Sequence, residues 1–293
     1  MIRVTDKQYW LHPNLKKNLG TVIYNIKNGW DFVIIITGDG MTRVGKTKLG
    51  QQIGYYLSYK LGTPFTLNNI VFGGSDLIKK AHQLTKMSCI MNDESRSDLS
   101  SKKIMSQMTG ELMDFFNECG KYNHVYILIA TDYFDFNKGI AVTRSELLIN
   151  VKRTSQKVTL ANGDEVMKFT RGYYDIYGRD KKRKLYKIGK KNYDDYRIVP
   201  RDTYGEFRKY WVINEEEYEK KKDIFLTRDR SKAKKGSMED IIQKLRTHPK
   251  LKGITYTDIA NILGVSRMTI HRKKQGKMLH EDDSSNRGEL PSI

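Results

Sequence analysis

Residues 31–57, DFVIIITGDGMTRVGKTKLGQQIGYYL, place an apolar β-branched run, a glycine-containing loop and an amphipathic helix in direct succession. Phe32–Thr37 has the length and composition of a buried strand. Leu49, Ile53, Leu57 and Leu61 recur every four residues until Gly62 and Pro64 stop the helix. Between the two, Gly40, Met41, Thr42, Arg43, Val44, Gly45, Lys46 and Thr47 fit the pattern G-x4-G-K-[ST] at every fixed position. Glycines at those positions let consecutive backbone N–H groups turn inward onto phosphate oxygens. Lys46 is then placed to reach the β- and γ-phosphates, and the Thr47 hydroxyl to ligate Mg2+. The expected cofactors are ATP, or GTP by the same chemistry, and Mg2+. Gly38 and Asp39 lengthen the entry to the loop.

A triphosphate site needs an acidic partner for its metal. The segment MSCIMNDES ends an apolar run in Asp93 and Glu94, with Asn92 interrupting the run. At a strand end beside such a loop, Asp93 is expected to hold the Mg2+ water shell and Glu94 to orient and deprotonate the attacking water. A third apolar run, HVYILIATDYF, reads as a strand covered on both faces and ends in Thr131 and Asp132. Thr131 is a candidate γ-phosphate sensor, with a strand-terminating threonine as the plain alternative. RSELLINVKR predicts a further strand. Arg144, Arg153 and Arg96 are candidates for a cation that stabilises transition-state charge on a neighbouring subunit's nucleotide.

Composition points to polyanionic partners. The chain has 293 residues, with 53 Lys and Arg against 34 Asp and Glu, a formal charge of +19 and a pI near 9.6. Two cysteines, Cys89 in a strand and Cys119 near a helix end, fit buried reduced thiols, not a disulfide framework. The six histidines show no metal-ligand spacing. No apolar run reaches the roughly 20 residues of a membrane span, and the N-terminus lacks a signal-peptide pattern. These features predict a cytoplasmic protein with no membrane association.

Near the other end, YTDIANILGVSRMTIHRKK reads as helix, tight turn, helix. Ala260 is small where two helices cross, Gly264 permits the turn, and Val265 and Ile270 bury the second helix. Ile241, Ile242 and Leu245 supply a third side of the small core. Ser266 caps the second helix, which in a DNA-binding arrangement presents Arg267, Thr269, His271, Arg272 and Lys273 to base edges or phosphates. Between the two signals, KFTRGYYDIYGRDKKRKLYKIGKK suggests two strands joined by a charged turn, with Tyr173, Tyr174, Tyr177 and Tyr186 beside Lys182, Arg183 and Lys184. Such a hairpin is either a solvated surface feature or a grip on a nucleic-acid backbone.

The predicted fold class is α/β: a P-loop NTPase with a mainly parallel central sheet, a β-hairpin-containing extension and a small all-α helix-turn-helix domain. The expected organisation is an ATPase domain over 1–225 with the hairpin at about 171–191, a charged linker over 226–236, the helix-turn-helix over 237–280 and a disordered tail over 281–293.

The order of loop, IMNDESR and ELMDFFNECGKYNHVYILIATDYF over residues 30–152 resembles the ATPase core of the zonula occludens toxin-like proteins of phages and mobile elements, relatives of FtsK- and HerA-type DNA pumps. The resemblance implies the phosphate and Mg2+ roles for Lys46 and Thr47, the acidic pair for Asp93 and Glu94, and the sensor place for Thr131. Those families often carry Gln after the sensor strand, where this chain has Asp132. The resemblance also implies an ATP-hydrolysing, DNA-associated homo-oligomer, a ring by analogy, in a bacterial, archaeal or phage-infected cell. Its work would be packaging, transfer or replication of a mobile genome. The alternatives are a helicase loader or transposition regulator, and an ATP-gated transcription regulator.

Overall fold

A computed structural model describes residues 10–38, 40–93, 107–235, 245–246, 254–262 and 268 of the chain. The chain divides into two compact units, Met1–Lys220 and Lys221–Ile293.

The first unit is built on seven strands: β1 (Phe32–Thr37), β2 (Ile70–Val71), β3 (Cys89–Asp93), β4 (Val125–Ile129), β5 (Leu147–Thr159), β6 (Glu165–Tyr177) and β7 (Thr203–Glu206). They form one sheet in the order β2-β3-β4-β1-β5-β6-β7. The first five in that order are parallel, and β6 and β7 add antiparallel strands at one edge. The helices are α1 (Pro13–Lys27), α2 (Lys46–Leu61), α3 (Gly74–Gln83), α4 (Gln107–Glu118) and α5 (Arg179–Gly189), with a π-helical turn at Gly139–Arg144. This is the α/β class with a mainly parallel sheet that the sequence predicts.

The apolar strands sort by period two. Val33 and Ile35 of β1 join Ile90, Tyr126, Leu128 and Leu148 in a core closed by Leu77 and Ala81 of α3, Leu112, Phe115 and Phe116 of α4, and Leu185 and Tyr186 of α5. On the other face α2 lies so close that a Cβ on Gly50 would stand 2.7 Å from Ile129 Cδ1 and 3.1 Å from Met91 Sδ. The expected α2 is borne out: its buried stripe includes Leu49, Ile53, Leu57 and Leu61, and Gly62, at φ 73°, caps it. Cys89 and Cys119 are both free and buried, and burial pushes their thiols up to about 12 and about 11.

Two expectations are corrected. The segment after β6 is a helix, α5, not the second arm of a hairpin: Lys182, Leu185, Tyr186 and Gly189 are buried at helical spacing, while the exposed cations fall between them. Tyr174, Tyr177 and Tyr186 are buried and inaccessible for base stacking. The hairpin of this region is β5–β6 instead. It closes through residues 160–164, where Leu160 N–H donates to Asp164 O at 2.8 Å and Gly163 takes φ 87°. β5 leaves β1 at the Thr37–Asn150 pair and runs on against β6 alone, so the arm projects past the carboxyl ends of the parallel strands.

The second correction concerns the linker. Residues 226–235 belong to α6 (Glu215–Lys235), which runs through the boundary between the units. In the second unit, α7 (Tyr256–Ile262) buries Ile259 and Ala260 with Leu245, Ile254 and Tyr256 packed against them. Its start is capped reciprocally: Asp258 N–H donates to Thr255 Oγ1 at 3.2 Å, and Thr255 N–H to Asp258 Oδ2 at 2.9 Å. The sequence predicts a helix over this stretch, and Ala260 is buried in it. Met268 is helical and 64% exposed. Ser266, Arg267, Thr269, His271, Arg272, Lys273, Gly264, Val265 and Ile270 lie outside the described residues, as do Ile241, Ile242 and the 281–293 tail. Among the described residues no helix is long and apolar enough to cross a membrane.

Candidate functional site

The strand order reverses at β1: the chain crosses over from β1 to β2 in one direction and from β4 to β5 in the other. In open α/β sheets a crevice forms outside the carboxyl ends of the strands at such a point. The glycine loop opens there. Gly38 and Gly40 both donate to Thr131 O, at 3.1 and 3.2 Å, so the long entry of the loop is sewn to the end of the neighbouring strand β4. Gly40, Arg43 and Gly45 take φ values of 70°, 57° and 105°, and the chain then enters α2 without a side-chain cap or an acidic residue in the first turn. The first N–H groups of α2 and the positive end of its dipole therefore face the crevice.

The loop is packed to the last methyl. A Cβ on Gly38 would fall 2.8 Å from Lys46 Nζ, 2.9 Å from Met41 O and 2.9 Å from Val44 Cγ2. Lys46 folds back across the loop and donates to Met41 O at 2.6 Å. Thr47 Oγ1 donates to Asp93 Oδ2 at 2.9 Å, joining the first turn of α2 to the end of β3. Asp93 is 3% exposed, and the same Oδ2 accepts the hydroxyl of Tyr218.

Thr131, Asp132, Thr37 and Asn150 meet beside the loop. The Tyr196 hydroxyl accepts from Tyr133 N–H at 2.8 Å and lies 2.9 Å from Asp132 Oδ1 and 3.2 Å from Thr37 Oγ1, which donates to Asn150 Oδ1 at 3.3 Å. Burial raises the Asp132 carboxyl above its ordinary range, and hydrogen bonds from Phe134 N–H and Tyr196 draw it back. Thr131 thus reaches the loop through its carbonyl, and Asp132 anchors Tyr196.

The arginines separate. Arg144 sits at the opposite end of the sheet, before β5, where its Nη2 pairs with Asp31 at 2.5 Å just ahead of β1. It makes an ion pair there and does not stand beside the glycine loop of its own chain. Arg153 lies on the projecting arm with its guanidinium 4.0 Å over the Phe169 ring. Arg96 and Glu94 fall outside the described residues.

A strap between β7 and α6 completes the site and carries no motif. Phe207 packs on Gly45, where a Cβ would meet its Cζ at 2.9 Å. The carbonyls of Arg208 and Tyr210 accept from Gln52 Nε2 at 2.7 and 3.1 Å, and Ile213 N–H donates to Gln51 Oε1 at 3.2 Å. Lys48 Nζ stands 4.8 Å over the Trp211 ring, and Trp211 and Phe72 flank Tyr218 with ring centroids 5.3 and 5.7 Å away. Burial, with Asp93 beside it, holds the Tyr218 hydroxyl far above the usual tyrosine range, so it stays a donor. The cluster of Phe207, Tyr210 and Trp211 before an acidic helix start was the sequence signal for this strap, but nothing in it names Asp93 as the target. No protein-family model matches the chain, and no curated protein matches its sequence.

Proposed function

We propose that the first unit binds and hydrolyses ATP with Mg2+, and that the protein does so in association with DNA. The carrying observation is the meeting of Thr47 and Asp93 at 2.9 Å, beside a lysine-bearing glycine loop at the strand-order reversal. A hydroxyl and a carboxylate are hard oxygen donors, and Mg2+ is held by one or two such groups together with substrate phosphates and water. The first N–H groups of α2, the loop N–H groups and Lys46 suit a polyphosphate. Bound Mg2+ would supply charge neutralisation of the phosphates. Glu94, next after Asp93 in the chain, is assigned the proton from the attacking water, and Thr131 the neighbourhood of the γ-phosphate.

DNA as partner rests on the +19 charge and on the segment 256–273. The favoured role is a motor in packaging, transfer or replication of a mobile genome, acting as an oligomer that receives a transition-state cation in trans. A nucleotide-gated regulator is the second reading, favoured by Tyr218, which ties the metal-binding acid to a helix that runs on past Lys220. The test is ATP hydrolysis by the full chain alone, with long duplex DNA of arbitrary sequence and with single-stranded DNA, paired with sizing in ATP. A motor is stimulated by any long DNA and assembles with nucleotide. A regulator responds to a particular site, and absence of Mg2+-dependent hydrolysis in every arm refutes the ATPase assignment.

A further inference from the structure

The buried side of α5 is complete without its exposed lysines. Leu185 and Tyr186 join the core, Tyr186 OH donates to Phe136 O at 2.8 Å, and Lys182 donates to Ala141 O at 2.7 Å. Arg179 and Lys181 are consumed by Glu146 and by Asp202, the latter at 2.9 Å. What remains outside is a cationic stripe. Lys184 and Lys187 lie one turn apart, Lys191 continues their line just past the helix end, and Arg183 and Lys190 beside it reach back to Val142 O and to Phe134 O, each at 3.3 Å. Among the described residues none of these five has an ion-pair partner within 4.0 Å.

Like charges three and four residues apart repel one another on a helix face, so Arg183, Lys184 and Lys187 work against α5, offset only by Asp180 one turn before Lys184. Beneath the stripe, burial pushes the Lys182 amine down to about 7, with Glu146 drawing it back and Arg183 and Arg179 adding smaller downward pushes. At the end of the stripe Asn192 and Asp194 N–H groups donate to Gly189 O at 2.8 and 3.0 Å, locking a turn in which Tyr193 takes φ 55° and stands fully exposed. The stripe spans about 10 Å at 1.5 Å per residue, the reach of several phosphates on a duplex.

We infer that the outer face of α5, Lys184, Lys187 and Lys191 with the Tyr193 turn at its end, is a sequence-independent contact surface for the phosphate backbone of duplex DNA. It shares with the proposed function the choice of DNA as partner, and depends on neither the ATPase assignment nor the helix-turn-helix. Lysines supply point charges to phosphates, and Asn and Tyr are among the side chains that hydrogen-bond phosphate oxygens. Such a contact fixes register and adds salt-dependent affinity without reading bases.

The test uses the full chain and a duplex of about 30 base pairs, with affinity measured by anisotropy between about 50 and 200 mM salt. The triple variant Lys184→Gln, Lys187→Gln, Lys191→Gln should flatten the slope of log K against log salt by about 2.7, three contacts at about 0.9 each. The parent then loses about 40-fold more affinity than the variant across that fourfold rise in salt. Lys→Arg at the same positions should restore the slope, which separates lost charge from a damaged helix. DNA-free ATP hydrolysis by the triple variant should match the parent. The inference is overturned if the slope of the Gln variant equals that of the parent, if only single-stranded DNA shows the difference, or if the parent binds no duplex. A slope lost in Arg267→Ala, Arg272→Ala but kept in the Gln variant overturns it while leaving the helix-turn-helix assignment standing.

Discussion

Removing one oxygen atom at Tyr218 tests how the proposed nucleotide site is held before any ligand binds. Asp93 Oδ2 receives hydrogen bonds from Thr47 and from the Tyr218 hydroxyl, and Mg2+ with its water would compete for that same oxygen. Tyr218→Phe keeps the ring against Phe72 and Trp211 and deletes only the donor. A hydrogen bond to a buried charged group contributes about 1.5–3 kcal/mol, so the nucleotide-free protein should lose about that much stability in urea unfolding. Energy that has to be given up on binding counts against affinity, so Mg·ATP should bind the variant more tightly by the same interval, about 10- to 150-fold. Isothermal titration supplies the affinity, and a double-mutant cycle with Asp93→Asn should return a coupling of comparable size. A variant that binds Mg·ATP as the parent does, or more weakly, would show that Tyr218 supports the bound state and would refute the reasoning.

Lys46→Ala should abolish nucleotide binding and hydrolysis together, whereas Glu94→Gln should bind ATP and stall; hydrolysis at the parental rate by the latter removes Glu94 as the base. Arg144→Ala leaves Asp31, whose side chain is 13% exposed, without its guanidinium, so it should cost about 1–3 kcal/mol of stability in urea and leave turnover unchanged at temperatures where the fold holds. Burial pushes the Lys182 amine down to about 7 from an ordinary 10.5, so between those values the unfolded chain binds a proton that the folded chain refuses. Stability should therefore rise with pH from about 7 towards 10 in the parent, and Lys182→Met should lose that rise when urea midpoints are compared. Gly50→Ala drives a methyl into Ile129 and Met91, and overpacking of about 1–3 kcal/mol should outweigh the gain of about 1 kcal/mol in helix propensity. Thermal unfolding will show the balance, and a more stable variant would mean that α2 can lift off the sheet freely.

Local signals carried the parallel part of the fold. A strand buried on both faces is a continuous apolar run, and Phe32–Thr37 and Val125–Ile129 each show one, as Cys89–Met91 does until Asn92 interrupts it, so their positions were legible to within a residue or two. Where a segment is half exposed, periodicity decides, and in 179–191 Tyr186 and Ile188 fall among lysines closely enough to imitate a strand while the burial is that of a helix. The β5–β6 hairpin was legible in principle: Asn162-Gly163 is a hairpin turn signal, obscured because the flanking arms are polar and exposed where they leave the sheet. Arg144 shows a different limit. An arginine that ends a loop looks the same in sequence whether it faces a phosphate or an aspartate 113 residues away.

The site itself depends on a close approach that no motif records. β4 lies between β1 and β3, so the strand bearing the loop and the strand bearing Asp93 stand about 10 Å apart, two strand spacings. Thr47 bridges that gap only because α2 crosses low over β4 and β3, and Gly50, one turn on from Thr47, is where the helix touches them. The same closeness frees the outer side of α2, where Gln51 and Gln52 hold the 207–213 strap by its backbone and Phe207 covers Gly45. Helix α2 through Thr47, helix α6 through Tyr218 and strand β3 therefore converge on one carboxylate oxygen. A ligand that draws Asp93 away from Tyr218 breaks that convergence, so the effect of Tyr218→Phe on Mg·ATP affinity, and not its contribution to packing, is the quantity that tests whether α6 is coupled to the proposed nucleotide site.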